Sequence, residues 1–397
     1  MKPALLKFML LLAAGQMLAM GQQKLFAIDP AALKANRGRV QSRDPQIMPA
    51  YQQLLKEADK ALQFGPVSVM EKKHVPPSGD KHDYMSLAPY HWPDPAKADG
   101  LPYIRKDGQT NPEVRDYKDK DYLPKLCGHV YSLSLAYYFS GNKAYAEHAS
   151  KLLRTWFLDT ATRMNPNLNY AQAIKGVNTG RGAGLIDSRH FIKLIDGIGL
   201  IRDSKYWSKS DQRGMQDWFR DFLQWMHTSK NGINEMKAAN NHGAWYDAQR
   251  LSIALFIDST ALAKQIVLNA QARLDMQMEN DGSFPLEMQR TISLHYTVFV
   301  MEAFFNIAKM ADRIGMNFWE YTSPNGKSLR KAFVTLRPYL VHEKKWEGPQ
   351  IKPYEEEESV LLLMEGRRFG CKTCREDVKL IMGDKAPRLR ENLLYKQ

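Results

Sequence analysis

The chain has 397 residues, of which 44% are hydrophobic and 11% aromatic, and its formal net charge is +13. This length allows one large domain or two or three smaller ones, and the hydrophobic content is ordinary for a globular protein with a sizeable core. The positive charge favours a polyanionic partner. Because no lysine- or arginine-rich run and no nucleic-acid-binding motif is present, nucleic acid is not the expected partner. A generally basic surface is the alternative interpretation.

Residues 1–21 have the pattern of a secretory signal peptide. Two lysines precede an almost entirely apolar run at 8–19, which is too short to span a bilayer stably. The small residues Ala19 and Gly21 predict cleavage before Gln22. We therefore expect an exported protein with no membrane attachment after cleavage, periplasmic if the source is Gram-negative. For an exported protein, an acidic polysaccharide is favoured over nucleic acid as the polyanionic partner.

Apolar residues recur at helical spacing along most of the remaining chain. The predicted helices span 45–62, 123–139, 144–157, 191–201, 212–226, 244–256, 261–278, 296–314, 329–341 and 360–366. Neither a convincing series of alternating strands nor a sequence repeat of fixed period is found. Amphipathic helices joined by short turns bury their apolar faces best as antiparallel pairs, arranged in a ring as an α/α toroid or in a line as a solenoid. The sequence therefore predicts an all-α protein.

Two long segments interrupt the helical pattern, at 65–121 and 165–186. Long insertions without regular structure in a compact domain are usually functional lids or binding loops. No linker separates two halves of different composition. We therefore expect a single domain at 22–397, with a poorly ordered tail after Lys385.

The three cysteines are Cys127, Cys371 and Cys374. The last two form a lone C-x-x-C pair, which has neither the second ligand pair of a zinc site nor a thioredoxin-like context. A local disulfide and two unpaired cysteines are both compatible with this spacing, and no catalytic role is assigned to it.

The stretch Asn240-Asn241-His242 lies at the predicted start of the helix that carries Trp245. The N-terminus of a helix offers free backbone N–H groups and favours an anion. An asparagine amide can also bind a carboxylate without contributing charge. Asn241 and His242 are therefore candidate catalytic residues. A capping asparagine followed by a surface histidine is the structural alternative.

Arg290 and Tyr296 lie six residues apart, where a loop is predicted to enter an apolar helix. A free tyrosine has a pKa of about 10, and a nearby arginine lowers that pKa by favouring the phenolate. The two residues are therefore candidates for proton transfer. In the structural alternative, Tyr296 packs between helices and Arg290 forms a surface ion pair.

Aromatic and cationic side chains in the two long segments suit a groove that binds a sugar acid. The segment 83–95 is rich in aromatic residues and prolines, and Arg181 lies in the glycine-rich segment 180–184. The glycine spacing does not match the dinucleotide-binding fingerprint, and no strand precedes it. Ordinary packed loops are the alternative. The candidate substrate-binding residues are Tyr84, Tyr90, Trp92, Arg105, Tyr170, Gln172, Arg181 and Trp245.

These stretches together resemble the alginate lyase superfamily of polysaccharide lyases, families five and thirty-eight, and the latter more closely. The resemblance covers roughly residues 80 to 310 and is densest at 86–95, 169–187, 240–245 and 287–296. It implies an α/α toroid, an incomplete barrel of antiparallel helical hairpins with long substrate-binding loops. It also implies cleavage of alginate or a related polyuronide by β-elimination. The chemistry of the motifs requires no cofactor and no metal ion.

The resemblance further implies roles for four residues. Asn241 would help neutralise the C5 carboxylate of the uronate in subsite +1, and His242 would neutralise the same group or act as the base. Tyr296 would serve as the acid, and also as the base where the substrate epimer presents its proton on the same side. Arg290 would lie beside the phenol and the carboxylate, although its spacing to the tyrosine varies among related families.

The chemistry of a uronate agrees with these roles independently. Its C5 proton is weakly acidic because the resulting enolate is unstable, and donors on the carboxylate stabilise the developing charge. A phenolate can remove the proton and a phenol can protonate the leaving O4. The leading hypothesis is therefore an exported polyuronide lyase, with alginate as the favoured substrate and glucuronan second.

Three alternatives remain at this point: a lyase for another acidic polymer such as a glycosaminoglycan, a glycoside hydrolase on the same type of toroid, and a non-catalytic polysaccharide-binding protein. A hydrolase needs two carboxylates that flank the scissile bond. The carboxylates close enough in sequence to supply such a pair are Glu235, Asp247, Glu279, Asp281 and Glu287.

Overall fold

The computed structural model describes residues 24–396, so the predicted signal peptide at 1–21 lies outside the described residues. Helices account for 60% of the structure and strands for 4%. The prediction of an all-α protein is therefore confirmed. No helix within the described residues is long and apolar enough to cross a membrane.

Fifteen α-helices and four very short strands are present in residues 24–396. The helices are α1 (Pro30–Gln41), α2 (Met48–Ala61), α3 (Lys118–Ser140), α4 (Lys143–Leu153), α5 (Phe191–Ile201), α6 (Lys209–Thr228), α7 (Lys230–Met236), α8 (Asn241–Phe256), α9 (Thr260–Gln277), α10 (Pro285–Met288), α11 (Ser293–Ala311), α12 (Leu329–Leu340), α13 (Val360–Gly366), α14 (Cys374–Met382) and α15 (Glu391–Leu394). The strands are β1 (Met85–Leu87), β2 (His91–Trp92), β3 (Ile104–Arg105) and β4 (Tyr170–Ala173). Strand β1 pairs in parallel with β4, and β2 pairs in antiparallel fashion with β3.

The helices form an α/α toroid. Most pack on helices close to them in the chain: α3 contacts α2, α4 and α5, and α8 contacts α5, α9 and α11. The C-terminal helix α15 returns to α1 and α2, so the array of helices curves back on itself. The four strands lie in the two long segments that interrupt the helical pattern.

A cluster of aromatic rings fills the core where α5 meets α6. The ring centroid of Phe191, the first residue of α5, lies 5.3 to 5.9 Å from the ring centroids of Phe157, Trp218, Phe219 and Phe222. The three rings on α6 occur at helical spacing and therefore face α5 together. Such rings bury large apolar areas, and edge-to-face pairs add stabilisation beyond the area buried.

The helical pattern in the sequence missed α1, α7, α10, α14 and α15. Helix α1 has a weak pattern because it buries only four residues, one of which is Asn36. The expectation of a poorly ordered tail after Lys385 is wrong. A 3-10 helix spans Gly383–Arg388 and α15 follows it, and the Asn36 amide donates hydrogen bonds to the backbone oxygens of Leu393 and Tyr395. This buried amide ties the chain end to α1.

The C-x-x-C pair is a disulfide between Cys371 and Cys374, and Cys127 is a buried free thiol. Asp377 lies close to the two sulfurs. Since bonded sulfurs are not thiolates, this group lacks the ligands that a zinc ion needs.

Replacing Phe191 with alanine should lower the free energy of unfolding by about 3–5 kcal/mol, because it leaves a cavity among four rings. Urea denaturation at neutral pH measures the change. The control Phe191→Leu retains most of the buried volume and should cost clearly less. A loss below about 1 kcal/mol for Phe191→Ala would contradict the role given to this cluster.

Candidate active site

The N-terminus of α8 presents an imidazole that is held by a buried carboxylate. Asn240 caps the helix, its side-chain oxygen accepting a hydrogen bond from the backbone N–H of His242. The Nδ1 atom of His242 lies 2.6 Å from Oε1 of Glu235 on α7, and this glutamate is only 3% exposed. We assign the proton to Nδ1, because the carboxylate accepts it there. The other ring nitrogen, Nε2, is then free to act as a base.

Asn241 is fixed in the same way by a second buried carboxylate. Its backbone N–H and its Nδ2 atom donate to the two oxygens of Glu287, at 2.6 and 2.7 Å. Burial raises the pKa of Glu287 above its usual value, although the hydrogen bonds from Asn241 oppose this rise. One N–H of the amide remains for a ligand, and its Oδ1 is buried without a hydrogen-bond partner within residues 24–396.

Tyr296 lies in the first turn of α11 and faces the loop that precedes β2. Its hydroxyl donates a 2.9 Å hydrogen bond to the hydroxyl of Tyr90. The guanidinium of Arg290 stacks on the face of the Tyr296 ring, 3.6 Å from the ring centroid. Two nitrogens of Arg290 also donate to Asp107 at 2.7 to 3.2 Å. Arg290 therefore supports the ring of the tyrosine and is itself held by a carboxylate.

The prediction that Arg290 gives Tyr296 a lowered pKa is wrong. Burial raises the pKa of Tyr296 well above its usual value, the neighbouring Tyr90 adds to the rise, and the attraction of Arg290 for the phenolate only partly offsets it. The desolvation of a buried anion outweighs one stacked cation. Tyr296 is consequently protonated at neutral pH, which is the state of a general acid.

The two motifs lie side by side. Helices α8 and α11 pack together, and Glu287 is close enough to both Arg290 and His242 for each to lower its pKa. The site thus brings all four predicted catalytic residues into one region, which contains both an imidazole and a protonated phenol.

The glycine-rich segment places Arg181 against β4. Nη2 of Arg181 donates to the side-chain oxygen of Gln172, whose amide donates to the buried Asp187. Gln172 has a φ of 51°, a left-handed conformation that is uncommon for residues other than glycine. A Cβ at Gly180 would lie 2.0 Å from the backbone oxygen of Asn169, so only glycine allows this close approach.

Strands β2 and β3 add a histidine and a further arginine. His91 and Arg105 are directly paired across the two strands, and Arg105 donates to Asp107 at 2.6 Å. Burial and the charges of Arg181 and Arg105 lower the pKa of His91 to about 4. His91 is therefore neutral at neutral pH.

Two predicted substrate-binding residues are placed in the core. Tyr84 is fully buried and its hydroxyl donates to Asp187, while Trp245 is 3% exposed and its indole N–H donates to the backbone oxygen of Phe299. The prediction that these two side chains contact a sugar is wrong, because both rings serve to pack the loops and α8 onto the core. The other six are half-buried, exposed or, for Gln172, buried but bonded to Arg181; they are Tyr90, Trp92, Arg105, Tyr170, Gln172 and Arg181.

Three carboxylates that position the site were not recognised in this role from the sequence: Glu235, Glu287 and Asp107. The first two were considered only as members of a hydrolase pair. Glu235 and Glu287 lie on different helices from His242 and Asn241, the residues that they contact. Closeness along the chain was therefore the only clue to these contacts that the sequence offered.

The carboxylates named for a hydrolase do not form a free pair. Glu235 and Glu287 are bonded to His242 and Asn241. Asp247 is buried and bonded to Arg273. The remaining two, at 279 and 281, are exposed in the turn before α10. The geometry therefore favours chemistry by the imidazole and the phenol over hydrolysis by paired carboxylates.

The toroid and this constellation of residues define a polysaccharide lyase. The sequence model of the alginate lyase family matches residues 68–346. The chain belongs to the alginate lyase family. The search of curated proteins gave no match.

Solved structures of alginate lyases share the fold. An alginate lyase from Bacteroides ovatus is 38% identical, with a TM-score of 0.89 over 94% of this chain and 98% of the other. Alginate lyase A1-III from Sphingomonas species A1 is 16% identical, with a TM-score of 0.55 over 96% and 100% of the two chains. A variant of alginate lyase A1-III complexed with a tetrasaccharide is 15% identical, with a TM-score of 0.59 over 96% and 98%. The last two likenesses concern the fold alone.

Replacing Glu235 with glutamine should reduce kcat by about 10²-fold or more and change KM little. The amide no longer favours the proton on Nδ1 of His242, so the basic nitrogen is lost from the side that faces the substrate. Steady-state kinetics on the polymer that the protein cleaves measures the effect. The matched variant Glu279→Gln alters an exposed carboxylate and should retain activity; equal activity of both variants would contradict the role of Glu235.

Proposed function

We propose that this lyase cleaves a polyuronide by β-elimination, with alginate as the favoured substrate and glucuronan second. The observation that carries the proposal is the pairing of a protonated Tyr296 with a His242 whose Nε2 is left basic by Glu235. β-Elimination needs a base for the C5 proton and an acid for the departing O4, and this site offers one of each.

The substrate carboxylate would bind at the N-terminus of α8. The amide N–H of Asn241 that Glu287 leaves unused is a donor that can stabilise the charge developing on that carboxylate, and the dipole of α8 favours an anion at this end of the helix. His242 then removes the C5 proton, and the C5 electron pair forms the C4–C5 double bond. The C4–O4 bond breaks, and O4 takes the proton of Tyr296. No water is consumed in this step.

The stereochemistry of the substrate decides which group acts as the base. Where the C5 proton lies on the side of His242, base and acid are separate residues. Where the epimer presents that proton to Tyr296, the phenol must first lose its own proton, which its burial makes unfavourable. The free enzyme, in which Tyr296 is protonated, is therefore better suited to a substrate whose C5 proton lies on the side of His242.

The relative from Bacteroides ovatus supports an acidic polysaccharide as the substrate, because it is 38% identical and is an alginate lyase. The formal charge of +13 agrees with this, since a basic protein attracts a polyanion and speeds its capture.

We also propose that the protein is exported through the signal peptide at 1–21 and acts in the periplasm if its source is Gram-negative. The support is the apolar run and the small residues before Gln22. The mass of the protein recovered from a secreting host tests this, because cleavage removes the first 21 residues.

Replacing Tyr296 with phenylalanine should lower kcat by about 10²–10⁴-fold, because O4 then leaves without a proton. Absorbance at about 235 nm, where a C4–C5 double bond conjugated to a carboxylate absorbs, reports the reaction on polymannuronate, polyguluronate and glucuronan. The wild-type protein should give a rise on at least one of these polymers. New reducing ends without any rise in absorbance would contradict elimination.

A further inference from the structure

We propose that Arg181, His91 and Arg105 form a second carboxylate subsite, which binds the uronate next to the one that loses its C5 proton. This inference rests on the proposed function, since it assigns a further part of the same polymer to a defined place. It concerns residues on β2, β3 and the glycine-rich segment, which are separate from the donors at the N-terminus of α8.

Unpaired polar atoms mark this place. Nε of Arg181 and Nδ1 of His91 are shielded from solvent and have no hydrogen-bond partner within residues 24–396. Most buried polar atoms in proteins are hydrogen-bonded, because each unpaired one costs free energy. Two such atoms on neighbouring side chains, both basic or able to donate, indicate a site that is completed by an acceptor from a ligand.

The structure holds Arg181 in place and leaves part of it free. Gln172 accepts from one of its terminal nitrogens, Nη2, and the close approach of Gly180 to Asn169 fixes the backbone before it. The other terminal nitrogen has no partner in the described residues. A guanidinium held at one nitrogen and free at the other is arranged to donate to a carboxylate oxygen.

The carboxylates around this cluster are already used by other groups. Asp107 is shared by Arg105 and Arg290, and Glu235 is bonded to His242. Asp187 accepts from Lys120 as well as from Gln172. The positive charge of Arg181 and Arg105 beside a neutral His91 is therefore open to an anion from outside the protein.

Carboxylate binding should change the protonation of His91. In the free protein the imidazole is half-buried beside Arg181 and Arg105, the two charged groups that act on it, and its pKa of about 4 keeps it neutral. A bound carboxylate offsets those two charges and raises the pKa. Binding then takes up protons at a pH between the free and bound pKa values of His91, and affinity falls as pH rises through that range.

Calorimetric titration of the inactive Tyr296→Phe protein with tetramannuronate tests the subsite. Adding Arg181→Gln should weaken binding by about 10-fold or more, the effect of losing a charged hydrogen bond. The matched change Arg213→Gln, at an exposed arginine on α6, should leave affinity within about 2-fold. Uncharged mannotetraose should bind poorly to every variant. Equal affinities of the Arg181→Gln and Arg213→Gln proteins for tetramannuronate would overturn the proposal, as would no binding to the Tyr296→Phe protein.

Proton uptake gives a second measurement that does not depend on how Arg181→Gln folds. Titrations at pH 5 to 6 in two buffers of different ionisation enthalpy should show proton uptake on binding, and this uptake should disappear in His91→Asn. No proton uptake by the parent protein would count against the subsite.

The subsite and the lyase mechanism can be rejected separately. Binding that depends on Arg181, without any rise in absorbance on a polyuronide, would reject the lyase mechanism and retain the subsite. Normal cleavage with unchanged binding in Arg181→Gln would reject the subsite and retain the lyase mechanism.

Discussion

Three buried or half-buried carboxylates hold the active site together. Glu235 fixes His242, Glu287 fixes Asn241, and Asp107 fixes Arg290 beneath the ring of Tyr296. A buried carboxylate is costly unless it is hydrogen-bonded or paired, so each of these acids restricts its partner to one geometry. The first pair connects the consecutive helices α7 and α8. The other two connect elements farther apart in the sequence, α10 with α8 and the loop after β3 with the approach to α11.

The same burial sets the protonation states that the proposed elimination needs. The pKa of Asp107 is held well below its usual range: burial acts to raise it, but hydrogen bonds from Arg290, Thr291 and Arg105 outweigh burial. It therefore remains charged and keeps Arg290 in place. Tyr296 has only one stacked cation to favour its phenolate, so burial prevails and the proton stays. Asp107 is therefore an anion at neutral pH, whereas the neighbouring phenol of Tyr296 keeps a proton that it can donate.

The sequence predicted the helices, and which candidate catalytic residues lie in one region, better than it predicted the contacts among these residues. Helical spacing located the long helices, and the Asn241-His242 and Arg290-to-Tyr296 stretches stood out because their side chains suit elimination. Burial was harder to foresee. The aromatic rings of Tyr84 and Trp245 look the same in a sequence whether they bind a sugar or fill the core, and only the packing of α8 and β1 distinguishes the two.

Pairwise contacts across the toroid were beyond the sequence for a physical reason. Asp107 and Arg290 are 183 residues apart, and Tyr90 and Tyr296 are 206 apart. No local pattern links such positions, because the toroid brings them together only when its helices have packed. The wrong expectation for the pKa of Tyr296 has the same origin: the sequence showed the arginine nearby but not the desolvation.

The central claim is that the polymer is cut by elimination between His242 and Tyr296, and the mass of the cleavage products tests it most directly. Mass spectrometry of the oligosaccharides released from polymannuronate or polyguluronate should show fragments with an unsaturated uronate at their new non-reducing end. These fragments are lighter, by the mass of one water, than the corresponding hydrolysis products. Fragments that all carry the added water would contradict the account, because they would mean hydrolysis.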